Sequence, residues 1–152
     1  MVFGMREALD MIFEEGLENI YERHRVLAEA THAAVEVWSQ AGTLSLNAIE
    51  PKERSTAVTT ILTDEGVDAN MIRDVCRDEM MVGLGGGLGN LAGRAFRVGH
   101  MGDMNAPMLF AALASIEATF RYLDIKFAPG GVTAAIEHVA QSKKVGTGPF
   151  SY

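Results

Sequence analysis

The chain has 152 residues, of which 48% are hydrophobic and 22% are charged, a balance typical of one folded domain rather than a disordered chain. Its net charge of −7 argues against a general nucleic-acid-binding surface, which needs an excess of lysine and arginine. The single cysteine cannot form a disulfide within the chain. Neither a signal peptide nor an apolar segment of about 20 residues is visible. We therefore expect a cytoplasmic protein with no membrane or nucleic-acid partner.

The first part of the chain has the hydrophobic spacing of two helices, over residues 2–15 and 17–39. Gly16 lies between them, where a left-handed residue commonly ends a helix. One kinked helix is the alternative. Residues 40–55 form a polar connection that has room for a short strand at 44–46.

The second part of the chain mixes strands and helices. The run from Thr56 to Thr63 is rich in β-branched residues and predicts a strand, and Asp68 is a typical N-cap residue for the next helix. The other predicted elements are a short strand at Met81 and Val82, a strand at Ala95–Val98, a helix capped by Asp103 or Asn105, and a last helix at Val132–Ala140. This order predicts an α+β fold with a small, mostly antiparallel sheet and helices packed on one face. Residues 142–152 are expected to form a loose tail.

A glycine-rich stretch precedes the strand that carries Arg97. Five glycines between Gly83 and Gly89 can take positive φ angles and allow close approach of a ligand or another chain. Because Phe96 and Val98 point to one face of the strand, Arg97 points to the other. An arginine held in this way suits bidentate binding of a carboxylate or phosphate. A surface arginine in solvent or in a salt bridge is the alternative.

The sequence lacks the common catalytic, cofactor and metal motifs. The glycines do not match G-x-G-x-x-G, and there is no P-loop, serine nucleophile elbow or H-E-x-x-H. His24 and His32 are predicted to be surface histidines, and Cys76 a small buried side chain. His100 is either a plain loop histidine or part of a site with Arg97. None of the four lysines is placed to form a Schiff base; these are Lys52, Lys126, Lys143 and Lys144.

The run GGLGNLAGRAFRVGHMGDMN, from Gly86 to Asn105, resembles the C-terminal small domain of class V pyridoxal-phosphate-dependent aminotransferases. The likeness is strongest to the serine–glyoxylate and alanine–glyoxylate types, and G-G-L-G, Gly93, Arg97 and Gly99 carry it. Residues 3–27 resemble the helices that open that domain, and GGVTAAIEHVA resembles its last helix.

The resemblance implies that residues 1–141 form the small domain of a fold type I aminotransferase. It implies that Arg97 holds the α-carboxylate of an amino acid or 2-oxo acid, and that Gly86 and Gly87 form a loop near the bound substrate. It gives His100 no catalytic role. Pyridoxal phosphate is expected in an intact enzyme but not on this chain alone, because the large domain that supplies the Schiff-base lysine is absent.

We therefore expect a substrate-binding fragment of a transaminase that acts on small amino acids and glyoxylate or pyruvate. The alternative is a stand-alone, non-catalytic binding or assembly module that partners a separate cofactor domain. A third hypothesis is a folded but inactive domain whose bare face exposes an apolar patch. The expected macromolecular partner is either a second copy of the chain, in a homo-oligomer, or a large cofactor domain.

Overall fold

The computed structural model describes residues 2–142. Its helices are α1 (Val2–Glu15), α2 (Leu17–Trp38), α3 (Ala69–Asp78), α4 (Ala106–Tyr122) and α5 (Gly131–Gln141). Its strands are β1 (Leu44–Leu46), β2 (Val58–Thr63), β3 (Gly85–Gly86) and β4 (Ala95–Gly99). None of the helices in this part of the chain is both long and apolar enough to cross a membrane.

The strands form one sheet in the order β1-β2-β4-β3, and every neighbouring pair is antiparallel. Ile61 of β2 lies opposite Phe96 of β4, and both side chains are fully buried beneath helices α2 and α3. Thr60 lies opposite Arg97, and both side chains belong to the other face of the sheet. The predicted α+β fold, with helices on one face of a small antiparallel sheet, is confirmed.

The core is built around an aromatic cluster between the sheet and helices α2 and α4. The ring of Phe120 lies 5.3 Å from that of Trp38 and 6.2 Å from that of Phe96, both edge to face. All three side chains are fully buried, and burial of such large rings contributes strongly to the hydrophobic stabilisation of a small domain. The indole Nε1 of Trp38 donates a hydrogen bond to Glu117 Oε1 at 2.8 Å, which satisfies its polar group.

Helix α1 lies outside this core. None of its residues is buried, and Gly16 separates it from α2 with a φ angle of 84°, as the two-helix prediction requires. Its apolar side chains at helical spacing are instead exposed: Val2, Met5, Leu9 and Phe13. The apolar patch that the third hypothesis expected is therefore present, and we call these four residues the α1 stripe.

The predicted strand at Met81 and Val82 is wrong. Met81 has a φ angle of 57°, which is left-handed and incompatible with a strand, and the Val82 amide bonds back to the Cys76 carbonyl. The strand of this region is instead β3, at Gly85–Gly86.

Other element boundaries shift by one or two residues. Strand β2 begins at Val58 instead of Thr56, because the Ser55 hydroxyl accepts hydrogen bonds from the backbone amides of Ala57 and Val58. Asn105 rather than Asp103 caps α4, since its side chain accepts a hydrogen bond from the Met108 amide. The predicted tail lies outside the described residues except for Ser142.

Candidate functional site

Arg97 lies on the sheet face opposite to the one that carries the buried Phe96 and Val98. Its side chain is half-buried, whereas the neighbouring Phe96 and Val98 are buried on the helix side, so the predicted alternation along β4 is correct. Arg97 Nε donates a hydrogen bond of 2.7 Å to the carbonyl oxygen of Gly86. Within residues 2–142 its two terminal nitrogens have no hydrogen-bond or ion-pair partner. A guanidinium that is fixed at Nε and free at both ends can accept an anionic ligand.

The glycines beside Arg97 do not act through unusual φ angles. Among the five of the loop only Gly89 uses the positive φ angle that glycine permits, with a φ of 55°. A Cβ at Gly86 would lie 3.1 Å from Arg73 Cζ, so the flexible Arg73 side chain would have to shift slightly. A Cβ at Gly87 would collide with the Leu91 carbonyl group. Close packing of backbone is therefore the reason for glycine at position 87.

Gly86 and Gly87 thus have different neighbours. The carbonyl of Gly86 holds Arg97, while the amide of Gly87 donates to the Ala95 carbonyl at 2.9 Å and closes the turn into β4. Both glycines lie near Arg97, and the hydrogen bonds that they make there use only their backbone atoms. Their predicted position near a bound substrate stays a prediction.

Arg97 lines neither of the two best-defined cavities of residues 2–142, whose volumes are about 350 and 190 Å³. One of them lies between α2 and the Pro51 turn and the other beside β1 and Arg94. The Arg97 side chain itself is half-buried. A ligand at Arg97 would therefore need a second surface to enclose it.

His100 follows β4 but does not join Arg97. Its ring is fully buried on the helix side and contacts Thr59 Oγ1 at 2.9 Å and the Thr56 carbonyl at 3.2 Å. Burial lowers the pKa of His100 to about 4, and His32 nearby adds to that lowering. Of the two alternatives left open, the loop histidine agrees with the structure, because His100 lies just after the end of β4, but its ring is buried in the core.

The surface prediction for His32 is wrong. Its ring is only 8% exposed and packs edge to face against His100, with ring centroids 6.2 Å apart. Desolvation, followed by the charge of Arg54, lowers the pKa of His32. The helical spacing of α2 placed His32 one turn after the buried Ala28, a signal that could have revealed its burial.

The other reactive side chains do not form a site here. Cys76 is fully buried as predicted, and burial raises the pKa of its thiol, which disfavours the nucleophilic thiolate. Lys52 and Lys126 are exposed and line neither cavity, and the remaining two lysines lie outside the described residues. The described residues therefore do not fit a Schiff-base site for pyridoxal phosphate.

Comparison with known proteins shows which enzymes this chain is similar to. No protein-family model matches the chain. The chain is 43% identical over 143 residues to a serine–glyoxylate aminotransferase of Methylorubrum extorquens, which covers 93% of this chain and 35% of that enzyme. It is 38% identical over 138 residues to the serine–glyoxylate aminotransferase of Arabidopsis thaliana, which covers 89% of this chain and 33% of that enzyme.

A solved structure agrees with these sequences. The pyridoxamine–pyruvate aminotransferase of Mesorhizobium loti superposes with a TM-score of 0.77 at 30% identity, over 87% of this chain and 33% of that one. The chain is homologous to a part of the class V aminotransferases. The chain spans about a third of the length of the curated relatives that it matches. The resemblance that was seen in the glycine and Arg97 motif is thus confirmed.

Proposed function

We propose that this aminotransferase domain binds the carboxylate group of an amino acid or 2-oxo acid, and that Arg97 is the binding residue. The observation that carries the proposal is the state of Arg97, which is half-buried, fixed through Nε and unpartnered at both terminal nitrogens within residues 2–142. A carboxylate can accept two parallel hydrogen bonds from such a planar fork. The relatives are named for reactions of amino-group donors with glyoxylate, whose substrates all carry a carboxylate.

The proposal gives the domain one half of an active site. Arg97 fixes the carboxylate end of the substrate, and the open face around it is closed by the rest of a pyridoxal-phosphate-dependent transaminase. Because the described lysines do not fit the cofactor, we assign its binding to that other part. Binding at one end of a small substrate orients its reacting carbon, and such orientation is a major source of rate.

Small amino acids with glyoxylate or pyruvate are the proposed substrates. This class rests on the related enzymes, which are named for serine–glyoxylate, aspartate–glyoxylate and pyridoxamine–pyruvate transfer. The named amino-group donor differs among these enzymes, whereas the named acceptor is in each case an oxo acid, either glyoxylate or pyruvate. Recognition of a carboxylate, common to every oxo acid, is therefore the part of specificity that this domain supplies.

The test is a chimeric enzyme in which residues 2–142 replace the matching segment of the Methylorubrum extorquens aminotransferase. We expect Arg97→Ala to raise KM for glyoxylate by about 10- to 100-fold, since a hydrogen bond to a charged group contributes about 1.5–3 kcal/mol. Arg97→Lys should restore only part of the loss, because an ammonium cannot make the bidentate contact.

The matched control is Arg94→Ala, which removes an exposed arginine three residues earlier and should leave KM within about twofold. An Arg97→Ala chimera with unchanged KM for both serine and glyoxylate would show that Arg97 does not bind the carboxylate. If the chimera has no activity, glyoxylate binding to the chimera is measured directly by titration, with and without Arg97→Ala.

A further inference from the structure

Gly85, the first residue of β3, is the glycine that packs against the Arg97 side chain. Gly85 lies directly opposite Arg97 in the antiparallel pairing of β3 and β4. Residues that face each other across such a pair project to the same side of the sheet, so any side chain at position 85 would meet Arg97. Gly86 pairs with Phe96 instead and projects toward the helix side.

Arg97 occupies the space that a side chain at position 85 would need. A Cβ built on Gly85 would lie 3.2 Å from Arg97 Cβ, 3.3 Å from Nε and 3.5 Å from Nη2. The arginine therefore folds back over the bare Cα of Gly85 along most of its length. Its Nε also donates to the Gly86 carbonyl at 2.7 Å, so β3 contacts the guanidinium both through space and through a hydrogen bond.

These contacts decide which atoms of Arg97 remain for a ligand. A carboxylate can approach a guanidinium from the side, through Nε and one terminal nitrogen, or from the end, through both terminal nitrogens. Since Nε is engaged by Gly86, the side-on approach is blocked. The approach that remains is the end-on one, through Nη1 and Nη2.

We propose that Gly85 is a positioning residue for Arg97, which directs its guanidinium to bind a substrate carboxylate end-on through both terminal nitrogens. This inference rests on the proposed function and deepens it, because it names the residue that sets how the carboxylate is bound. A side chain at position 85 would lie 3.2–3.3 Å from Arg97 Cβ and Nε, so Arg97 would have to shift, which weakens its hydrogen bond to Gly86 and moves the fork.

The choice of Gly85 does not follow from backbone strain. Its φ angle is not in the left-handed region, so alanine can adopt the local backbone conformation. The cost of Gly85→Ala thus arises from the contact with Arg97. Gly99 offers a matched control, because it lies on β4 two residues from Arg97, also lacks a positive φ, and has no atom within 4 Å of a built Cβ.

The experiment uses the isotope-labelled 152-residue chain as wild type, Gly85→Ala and Gly99→Ala. The Nε–H resonance of Arg97 reports its hydrogen bond to Gly86, and a glyoxylate titration reports carboxylate binding. We expect Gly85→Ala to shift that resonance, speed its exchange with water and weaken glyoxylate binding by about tenfold, or about 1.4 kcal/mol. Gly99→Ala should leave both readouts unchanged.

Unchanged Nε–H behaviour in Gly85→Ala would overturn the inference. So would a wild-type chain that binds glyoxylate and a Gly85→Ala chain that binds it equally well. If the isolated wild-type chain binds no glyoxylate, the Nε–H readout still tests the positioning by itself, and the KM of the Arg97→Ala chimera tests the proposed function.

A double-mutant cycle keeps the test decisive if Gly85→Ala folds poorly. The stability cost of Gly85→Ala should shrink in an Arg97→Ala background, since most of the contacting side chain is then gone. An equal cost in both backgrounds would show that Arg97 is not the reason for glycine at position 85.

Discussion

His100 illustrates how a single ring is held in the core. The Thr56 carbonyl can only accept a hydrogen bond, so Nδ1 of His100 carries the proton, and Nε2 accepts from the Thr59 hydroxyl. The ring is therefore satisfied in its neutral form. Protonation of Nε2 would place a second donor against Thr59 and a charge beside His32, in a site closed to water.

This arrangement predicts that stability falls in mild acid. The pKa of His100 is lowered from 6.5 to about 4, so between these values the unfolded chain binds a proton that the folded chain does not. The free energy of unfolding should therefore decrease as pH falls from 6.5 to 4, by up to about 3 kcal/mol at about 1.4 kcal/mol per pKa unit. His32 acts in the same direction.

Urea denaturation at a series of pH values measures this slope. His100→Gln should flatten the slope between pH 6.5 and 4, whatever its effect on stability at neutral pH. A His100→Gln chain with the full slope would place the acid sensitivity elsewhere.

For single residues, the sequence predicted which way a side chain points better than it predicted whether that side chain is buried. The alternation of β4 correctly placed Arg97 and Phe96 on opposite faces of the sheet. The apolar stripe of α3 correctly predicted that Cys76 is buried. The burial of His32 and His100 was missed, because it depends on how α2 crosses the sheet. The contact between Gly85 and Arg97 was likewise hidden, since it depends on the pairing of two strands.

Among the helices, α5 shows how one packing contact fixes an element. Its first residue, Gly131, lies against the indole of Trp38, and a Cβ there would overlap the ring. Glu117 Oε1 accepts hydrogen bonds from Trp38 Nε1 at 2.8 Å and from the Val132 amide at 3.1 Å. A carboxylate at the start of a helix also interacts favourably with the helix dipole.

We predict that Gly131→Ala destabilises the domain by about 1–3 kcal/mol, the usual cost of overpacking a core. The variant should also disturb the near-UV circular dichroism of Trp38. Thermal unfolding gives the loss, and Gly66→Ala is the control, because no atom lies within 4 Å of a built Cβ there. Equal melting temperatures for the two variants would contradict this account.

Helices were easier to predict than strands in this chain. Helix caps are local, so Gly16 and Asp68 could be recognised from residue type and spacing, and the cap of α4 could be narrowed to Asp103 or Asn105. Strand β3 consists of two glycines, which have low strand propensity, and exists because it pairs with β4. Pairing across the sheet is a long-range property that a single sequence does not display.

For the described part of the molecule, the α1 stripe is a large exposed apolar feature. Phe13 is 74% exposed and Val2 72% exposed, and the helix contacts α2, where Arg23 binds Glu15. We predict that the purified chain self-associates at high concentration through this stripe, as large apolar patches commonly do. Sedimentation velocity over a range of concentrations measures the association.

Leu9→Glu with Phe13→Glu should shift the chain toward monomer without loss of stability, because neither side chain is buried. Ile136→Glu, at a 45% exposed position on α5, is the control and should leave the association unchanged. A wild-type chain that stays monomeric at high concentration would contradict the prediction.

The short edges of the sheet limit what such association can become. Strand β1 has three residues and β3 has two, so the open backbone at either edge is brief. Amyloid-like growth needs a long edge on which a further strand can form a continuous ladder. Copies of this domain that associate through the α1 stripe should therefore form reversible clusters that dissociate on dilution, without seeding fibres.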